Sequence, residues 1–416
     1  MLRNTVVDWP LAIIALALSA FGVAMVYSAG QTDIPTFVAG LYKSQAIWLL
    51  IGIGCAWAIG NSSVRMIEWA TWPAYIFSVG LLALTLVIGS GGGSMAAHEK
   101  SWIAIGGHRL GQPSELAKIT VTLMLAKVLA ERREGPKSLL DLWKPAIVVG
   151  IPWVLIMLQP DLGSGLAFIG IFFGMLFWSG VPWPLLLLLA SPVVSLVLSF
   201  STGLWGAWFL ILIALVLWYK PYLIEGIVLM VLNVATGVVA PLLWEKLKPY
   251  QQNRLKVFLD PSADPRASGY HVIQSKIAIG SGGLWGNGFT LGTQKRSGFL
   301  PEQHTDFIFS VVGEELGFIG VAVALALFLA LFLRITKIAA RANDSFGGLA
   351  AFGLMSCWLI HVLNNVGMTL NLMPITGIPL PFFSYGGSFM LASWLGVGIL
   401  LRISGEGRGH AGALLS

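Results

Sequence analysis

Apolar runs about as long as a bilayer crossing, separated by short polar connections, set the pattern of this chain. A transmembrane helix needs about 20 consecutive, mostly apolar residues. Windows near that size fall at about 10–28, 45–60, 68–89, 113–131, 145–158, 164–180, 183–201, 204–219, 222–244, 306–334, 347–371 and 384–403. The pattern predicts an all-α polytopic membrane protein with about 12 transmembrane helices. The stretch 246–305 holds no window apolar enough to cross and is expected to be one long loop. Loops of that length carry function or serve as linkers, and repeated Gly, two Asp-Pro steps and placed His and Gln favour function here. A bundle of spans forms one continuous unit, so residues 1–416 are expected to form a single integral membrane domain that includes loop 246–305.

Composition supports the bilayer and adds an orientation. Apolar residues make up 56% of the chain and charged residues 11%, whereas soluble domains run near a quarter charged. The net charge of +6 sits in the connections between apolar runs, so it describes topology and implies no nucleic-acid partner. With a cytoplasmic N-terminus, Arg65, Arg132, Arg133, Lys137, Lys144, Lys220, Arg334, Lys337, Arg341 and Arg402 all fall on the cytoplasmic side, and so does the C-terminus. Loops 90–112 and 246–305 and the connections near Gln159 and Pro374 then open on the outer face. The first apolar run, Pro10 to Tyr27, spans rather than being cleaved, because no small-residue cleavage site followed by a polar chain accompanies it. Cys55 and Cys357 lie inside apolar runs and read as packing residues. The Gly-rich stretches at 89–94 and 280–283 lack the Lys-Ser/Thr of a P-loop, which argues against nucleotide binding. No organic cofactor is expected, and no repeat at transporter scale is visible.

Four polar constellations sit at the outer ends of the spans. In Trp102–Lys118, Pro113 and Ser114 look like a helix start, which places Glu115 and Lys118 on one face. They either neutralise each other or line a cavity together with Arg109 and Gln112, since intramembrane charges are costly without partners. In the connection Gln159–Ser164, Asp161 either caps the following helix or belongs to a site. In the long loop, Asp260 and Asp264 each precede Pro, which holds them on turns. Turn formation alone and a carboxylate facing a groove both fit. Ser268, Gln274 and Lys276 follow on a short interfacial helix, and His304 reads as a hydrogen-bonded interfacial histidine. Glu314 and Glu315, inside the next span, require a partner or a polar cavity for at least one of them. Last, the run PITGIPLPFFSYGGS, ending at Ser388, suggests broken or re-entrant backbone. Its glycines either pack or let free helix amides hold an anion.

Taken together, these segments resemble a known family. QPSELAK at 112–118, QPDLGS at 159–164, DPRASGYHVIQSKIAIGSGGLWGNG at 264–288, GTQ at 292–294, FLPEQHTDFIFSVVGEELG at 299–317 and PLPFFSYGGS at 379–388 look like the signatures of the SEDS proteins, the shape, elongation, division and sporulation polymerases of peptidoglycan. YHVIQSKIAIGSGG followed by GTQ is more similar to the rod-shape branch, RodA, than to the division branch. The resemblance implies a multi-pass protein of the bacterial inner membrane that polymerises lipid II outside the cytoplasm during cell elongation, with undecaprenyl pyrophosphate leaving. It implies a partner, a class B penicillin-binding protein. It places the catalytic carboxylate at Asp264, as general base for an inverting displacement. It supports Glu115 and Lys118 as cavity residues and adds Asp161, Ser268, Gln274, Glu315 and Ser388. Arg109, Lys118 and Lys276, or Mg2+ or Mn2+ held by Asp264 and phosphate, are the candidates to neutralise the leaving group.

The chain departs from the family pattern in three places. Ser101 rather than Arg precedes Trp102, and Arg109–Gln112 holds one residue more than the common Arg-x-Gln-Pro. Between Pro182 and Trp244 there is room for three spans where the family commonly has one, which adds a pair to the usual ten. Two other functions share the composition: a flippase for the same lipid-linked precursor, and a scaffold whose long loop is a docking surface. Crowding of the polar groups on one face favours an enzyme, since a transporter places its site near the midplane.

Overall fold

The computed structural model describes residues 7–33, 36–91, 101–105, 108–132, 135–246, 252–253, 256–258, 260–261 and 268–413. Its helices are α1 (Trp9–Ala29), α2 (Leu41–Gly60), α3 (Val64–Ile88), α4 (Pro113–Ala130), α5 (Trp143–Leu158), α6 (Leu162–Trp178), α7 (Trp183–Leu198), α8 (Thr202–Tyr219), α9 (Leu223–Lys246), α10 (Ser268–Ser281), α11 (Thr293–Arg296), α12 (Ile308–Ala340), α13 (Ser345–Thr369) and α14 (Gly387–Ala413). Every expected apolar window coincides with one of them. Among the described residues nine helical segments are long and apolar enough to cross a membrane, α5 being counted with the 3-10 turn Leu139–Leu142 before it. Of the rest, α6 and α7 are apolar but only 17 and 16 residues long, and α4 carries Glu115, Lys118 and Lys127 in its 18 residues.

Polar residues at the run boundaries fix where the helices begin. Asp8, Ser63, Asp161 and Asp344 each accept a backbone N–H from the first turn of α1, α3, α6 and α13, respectively, satisfying amides that have no partner within the helix. The loop before α4 departs from the all-α expectation. It contains an antiparallel pair of short strands, β1 (Ile103–Ile105) and β2 (His108–Gly111), where β-branched Ile103 and Ile105 suit a pleated edge.

Side-chain bonds between distant helices identify two rims. At one rim Asp8 binds Arg334 at 2.7 Å and accepts from Ser404 at 2.6 Å, and the Val64 amide donates to Glu406. At the other, Gln303 donates to the carbonyl of Ala29 and Gln45 donates to that of Ser384. The second rim carries α10, α11 and the β1–β2 pair, so the second half of the long loop is built into the bundle. On the flank, α7 packs against both α8 and α9 around Leu188, Leu212 and Leu229. Asn233 of α9 donates to Ser191 at 2.7 Å and accepts from Ser195 at 2.6 Å, a pairing that makes its amide tolerable among apolar helices.

The loop is anchored where α12 is interrupted. Gly317 has φ 62° inside that helix, a left-handed conformation for which Gly carries no Cβ penalty. The freed carbonyls of Glu314 and Glu315 accept from the amides of Asn287 and Gly288, both at 3.0 Å. A Cβ at Gly286 would collide with the Glu315 carbonyl oxygen, so only Gly permits this approach. The side chains complete the anchor. Lys295 Nζ lies 2.6 Å from Glu315 Oε1 and donates to the carbonyl and hydroxyl oxygens of Ser28, while Ser28 Oγ donates to Glu315 Oε2 at 2.5 Å. Glu314 accepts the Gln294 amide at 2.6 Å and so caps α11. Burial pushes the Lys295 ammonium below its ordinary pKa, opposed by Glu315.

Lys295→Met is expected to destabilise the protein by about 3–5 kcal/mol, because it leaves Glu315 charged and buried without its cation. Lys295→Met/Glu315→Met should recover most of that loss. Unfolding in detergent of both variants alongside the parent checks the pair of outcomes.

Candidate functional site

The second rim gathers the N-terminal ends of α4, α6 and α14. Gln112 stands before Pro113, which occupies the first turn of α4 where a missing N–H costs nothing. Gln112 Nε2 donates to Asp161 Oδ2 at 2.9 Å, while Asp161 Oδ1 accepts the Ser164 amide at 2.9 Å and caps α6. Ser164 Oγ donates to Ser114 Oγ at 3.1 Å. Asp161 is therefore the cap of α6 and also a partner of Gln112. β2 closes the top: a Cβ added at Gly111 would lie 3.6 Å from Ser388 Cβ.

One turn deeper, Lys118 Nζ lies 2.8 Å from Glu115 Oε2 and 3.0 Å from His361 Nε2. The other ring nitrogen, Nδ1 of His361, is 2.9 Å from the Pro379 carbonyl. That carbonyl can only accept, which assigns the proton to Nδ1 and leaves Nε2 to accept from the ammonium. Phe389 stacks on His361 at 5.0 Å and lies 5.3 Å from Lys118 Nζ, adding a cation–π contact. Glu115 and Lys118 are only 5% and 4% exposed. They border a cavity of about 20 Å³ with Cys357, Trp358, Phe389 and Ser393, room for about one water. Ser393 Oγ is buried there without a hydrogen-bond partner, which gives such a water a polar contact.

The non-helical segment between α13 and α14 forms the wall. Its backbone is satisfied by side chains, the condition for irregular backbone at membrane depth. Asn365 Nδ2 donates to the carbonyls of Asp306 and Ile378 at 2.9 and 2.8 Å, and Thr376 Oγ1 donates to Asn364 Oδ1. Ser384 Oγ donates to the Thr305 carbonyl and accepts the Leu380 amide. Gln45 Oε1 accepts the Gly386 amide at 3.1 Å. Phe382, buried beside Trp358, is held at φ 66°, a costly conformation for a bulky residue. His304 stacks edge-on with Phe37 and near Tyr385, and burial lowers its pKa, so the ring is neutral at pH 7.

The structure thus brings together Gln112, Glu115, Lys118, Asp161 and Ser388. Glu315 lies apart from them, in the closed pair with Lys295. On α10, Ser275 is buried between Ser310 and Thr369, while Gln274 is half-buried and Lys276 exposed. No described hydrogen bond ties those two to the Glu115 cluster. Arg109 occupies β2 opposite Ala104 and Ser268 begins α10; the side chains of both lie outside the described residues. Asp264 lies outside them altogether. His361 and Phe389 were missed from the sequence, although a histidine within an apolar run is itself a signal of function. Among the described residues no three His, Cys, Asp or Glu side chains converge on a metal position.

An antiparallel helical bundle with a polar cluster sunk into one rim, walled by irregular backbone, defines a multi-pass membrane protein with a preformed polar cluster at that rim. The comparisons narrow that class. The model of the FtsW/RodA/SpoVE family, described as cell cycle protein, matches residues 8–207 and 201–409. The chain belongs to this family, the SEDS proteins. The Escherichia coli K12 peptidoglycan glycosyltransferase MrdB is 35% identical over 398 residues, covering 95% of this chain and 93% of MrdB. The Treponema pallidum peptidoglycan glycosyltransferase RodA is 33% identical over 428 residues, covering 95% and 97%. A chain from a peptidoglycan synthase complex that coordinates polymerization and crosslinking superposes with TM-score 0.71 at 29% identity, covering 97% of this chain and 98% of that one. The Thermus thermophilus rod shape determining protein RodA gives TM-score 0.62 at 27% identity, covering 96% and 97%.

Asp161→Ala should cost about 0.5–2 kcal/mol through loss of the α6 cap, whereas Asp161→Asn keeps an acceptor for the Ser164 amide and should unfold near the parent. Thermal unfolding separates the two. If Asp161→Asn proved as destabilising as Asp161→Ala, the charge itself would be holding the rim.

Proposed function

We propose that this chain is a peptidoglycan glycosyltransferase that polymerises lipid II during cell elongation, with the cluster at the second rim as its substrate cleft. The observation that carries the reading is the convergence of Gln112, Glu115, Lys118, Asp161 and Ser388 at the rim where the long loop is anchored. The names of the relatives and the resemblance of the loop motifs support the reaction class. The positive-inside pattern supports cytoplasmic termini and an outer-face cleft in the bacterial inner membrane. The synthase complex that contains a similar chain supports a crosslinking partner, a class B penicillin-binding protein.

In the proposed step, a sugar hydroxyl oxygen attacks the anomeric carbon of a second lipid II with inversion. The new C–O bond forms as the bond to the diphosphate breaks, and the hydroxyl proton passes to Asp264. The departing diphosphate takes the electron pair and needs positive charge beside it. Lys118, fixed by Glu115, His361 and the Phe389 ring, is one source; Arg109 and Lys276 are others. Such a fixed cation needs little reorganisation at the moment of reaction. Mg2+ or Mn2+ would have to draw on Asp264 and the phosphates. Glu115 and Asp161 are engaged by Lys118 and by Gln112 with the α6 amide, so no step is assigned to a metal. Gln112 and Ser388 present neutral donors to the sugar or peptide portion. A flippase would need its polar groups near the midplane, whereas these lie at a rim.

Purified chain with its transpeptidase partner and fluorescent lipid II should make glycan strands. Asp264→Ala should lower the rate by about 10²–10⁴-fold, the usual contribution of a general base, while Asp260→Ala should stay active. Parent-level polymerisation by Asp264→Ala with fold intact would remove the base assignment. Lipid II crossing vesicles without polymer would replace the enzyme by a flippase.

A further inference from the structure

At the opposite rim lies a cavity of about 370 Å³ lined by Asp8, Arg334, Lys337, Arg341, Ser404 and others. This is the volume range of small-molecule sites. Arg334 and Lys337 lie three residues apart on one face of α12, and Arg341, which caps that helix, joins them in the cavity lining. Asp8 pairs with Arg334 alone of the three. Its two oxygens are taken by Arg334 Nε and Nη2 at 2.9 and 2.7 Å, by Ser404 Oγ at 2.6 Å and by the Leu11 amide at 3.2 Å. Those bonds orient the guanidinium and leave further N–H donors on Arg334. Neither Lys337 nor Arg341 makes an ion pair among the described residues. Among the described residues, Lys337 and Arg341 thus bring two positive charges to the cavity without a paired carboxylate.

Its depth is set by α1. Asp8 precedes this helix, and Ser28 near its other end binds Lys295. At 1.5 Å per residue the two ends are about 30 Å apart, one hydrocarbon thickness. The cationic cavity therefore sits at the bilayer–water boundary opposite the proposed cleft, where anionic headgroups are concentrated. We propose that this cavity binds the phosphate of an anionic phospholipid headgroup, with Arg334 as the fixed donor and Lys337 and Arg341 as the closing cations. The assignment is independent of glycosyl transfer. It follows from basic side chains clustered between helices at a membrane boundary, an arrangement suited to lipid phosphate.

The test is native mass spectrometry of the purified, delipidated full chain titrated with phosphatidylglycerol or with phosphatidylcholine. The parent should retain phosphatidylglycerol preferentially. Lys337→Gln/Arg341→Gln should weaken that retention by roughly 30-fold, about fivefold for each basic residue removed, and leave phosphatidylcholine unchanged. Arg65→Gln/Lys220→Gln, with the same charge change on α3 and at the end of α8, should behave as the parent. Equal lipid retention by the two double variants would overturn the proposal. So would displacement of phosphatidylglycerol by millimolar inorganic phosphate alone, which would mark a free-anion site instead.

Discussion

Charge sunk into a membrane protein has to be matched where it lies, and the pairing of Lys295 with Glu315 is the point on which the second rim depends. Neither side chain is exposed, and Ser28 binds both. Through those few bonds the long loop is tied to α1 and to the interruption of α12 at Gly317. With that anchor in place, α10 lies against α12 and α13, and the irregular segment before α14 has Thr305 and His304 to bond with. The segments that border the Glu115 cluster are thus held in place by the chain's own bonds.

The same constraint organises the Glu115 cluster with a different outcome. Lys118 has a carboxylate, an imidazole and an aromatic face, each from a different part of the chain. Yet this pair borders a small cavity whereas Lys295 and Glu315 are closed off. On the proposed reading, the ion pair that borders the cavity is the one that answers to the leaving diphosphate. One sealed against its neighbours holds the fold.

Much of this was legible in the sequence because the bilayer leaves helices few alternatives. Each apolar window became a helix, and Pro113 with Ser114, and Asp161 before Leu162, marked helix starts. The requirement that adjacent glutamates find partners was also readable, although the partner, Lys295, was not: it lies 20 positions upstream of Glu315 and carries no local signal. His361 was hidden inside an apolar run, and Gln45 in the approach to another. Their roles depend on which carbonyls the segment 374–386 leaves unpaired, and that is decided by tertiary packing. The strands at Ile103 and His108 were too short for a period-two signal. The number of crossings is likewise fixed by surroundings rather than by composition, since α4 carries three charged residues that only a polar interior makes acceptable.

The central claim is that Glu115 and Lys118 serve the substrate rather than stability. Glu115→Gln/Lys118→Gln removes both charges, keeps the volumes and can retain a hydrogen bond, so it leaves no buried charge unpaired. The decisive measurement is lipid II polymerisation by this double variant, with unfolding followed on the same sample. The account predicts unfolding close to the parent together with loss of glycan strands. A double variant that folds equally well and polymerises at the parent's rate would contradict it.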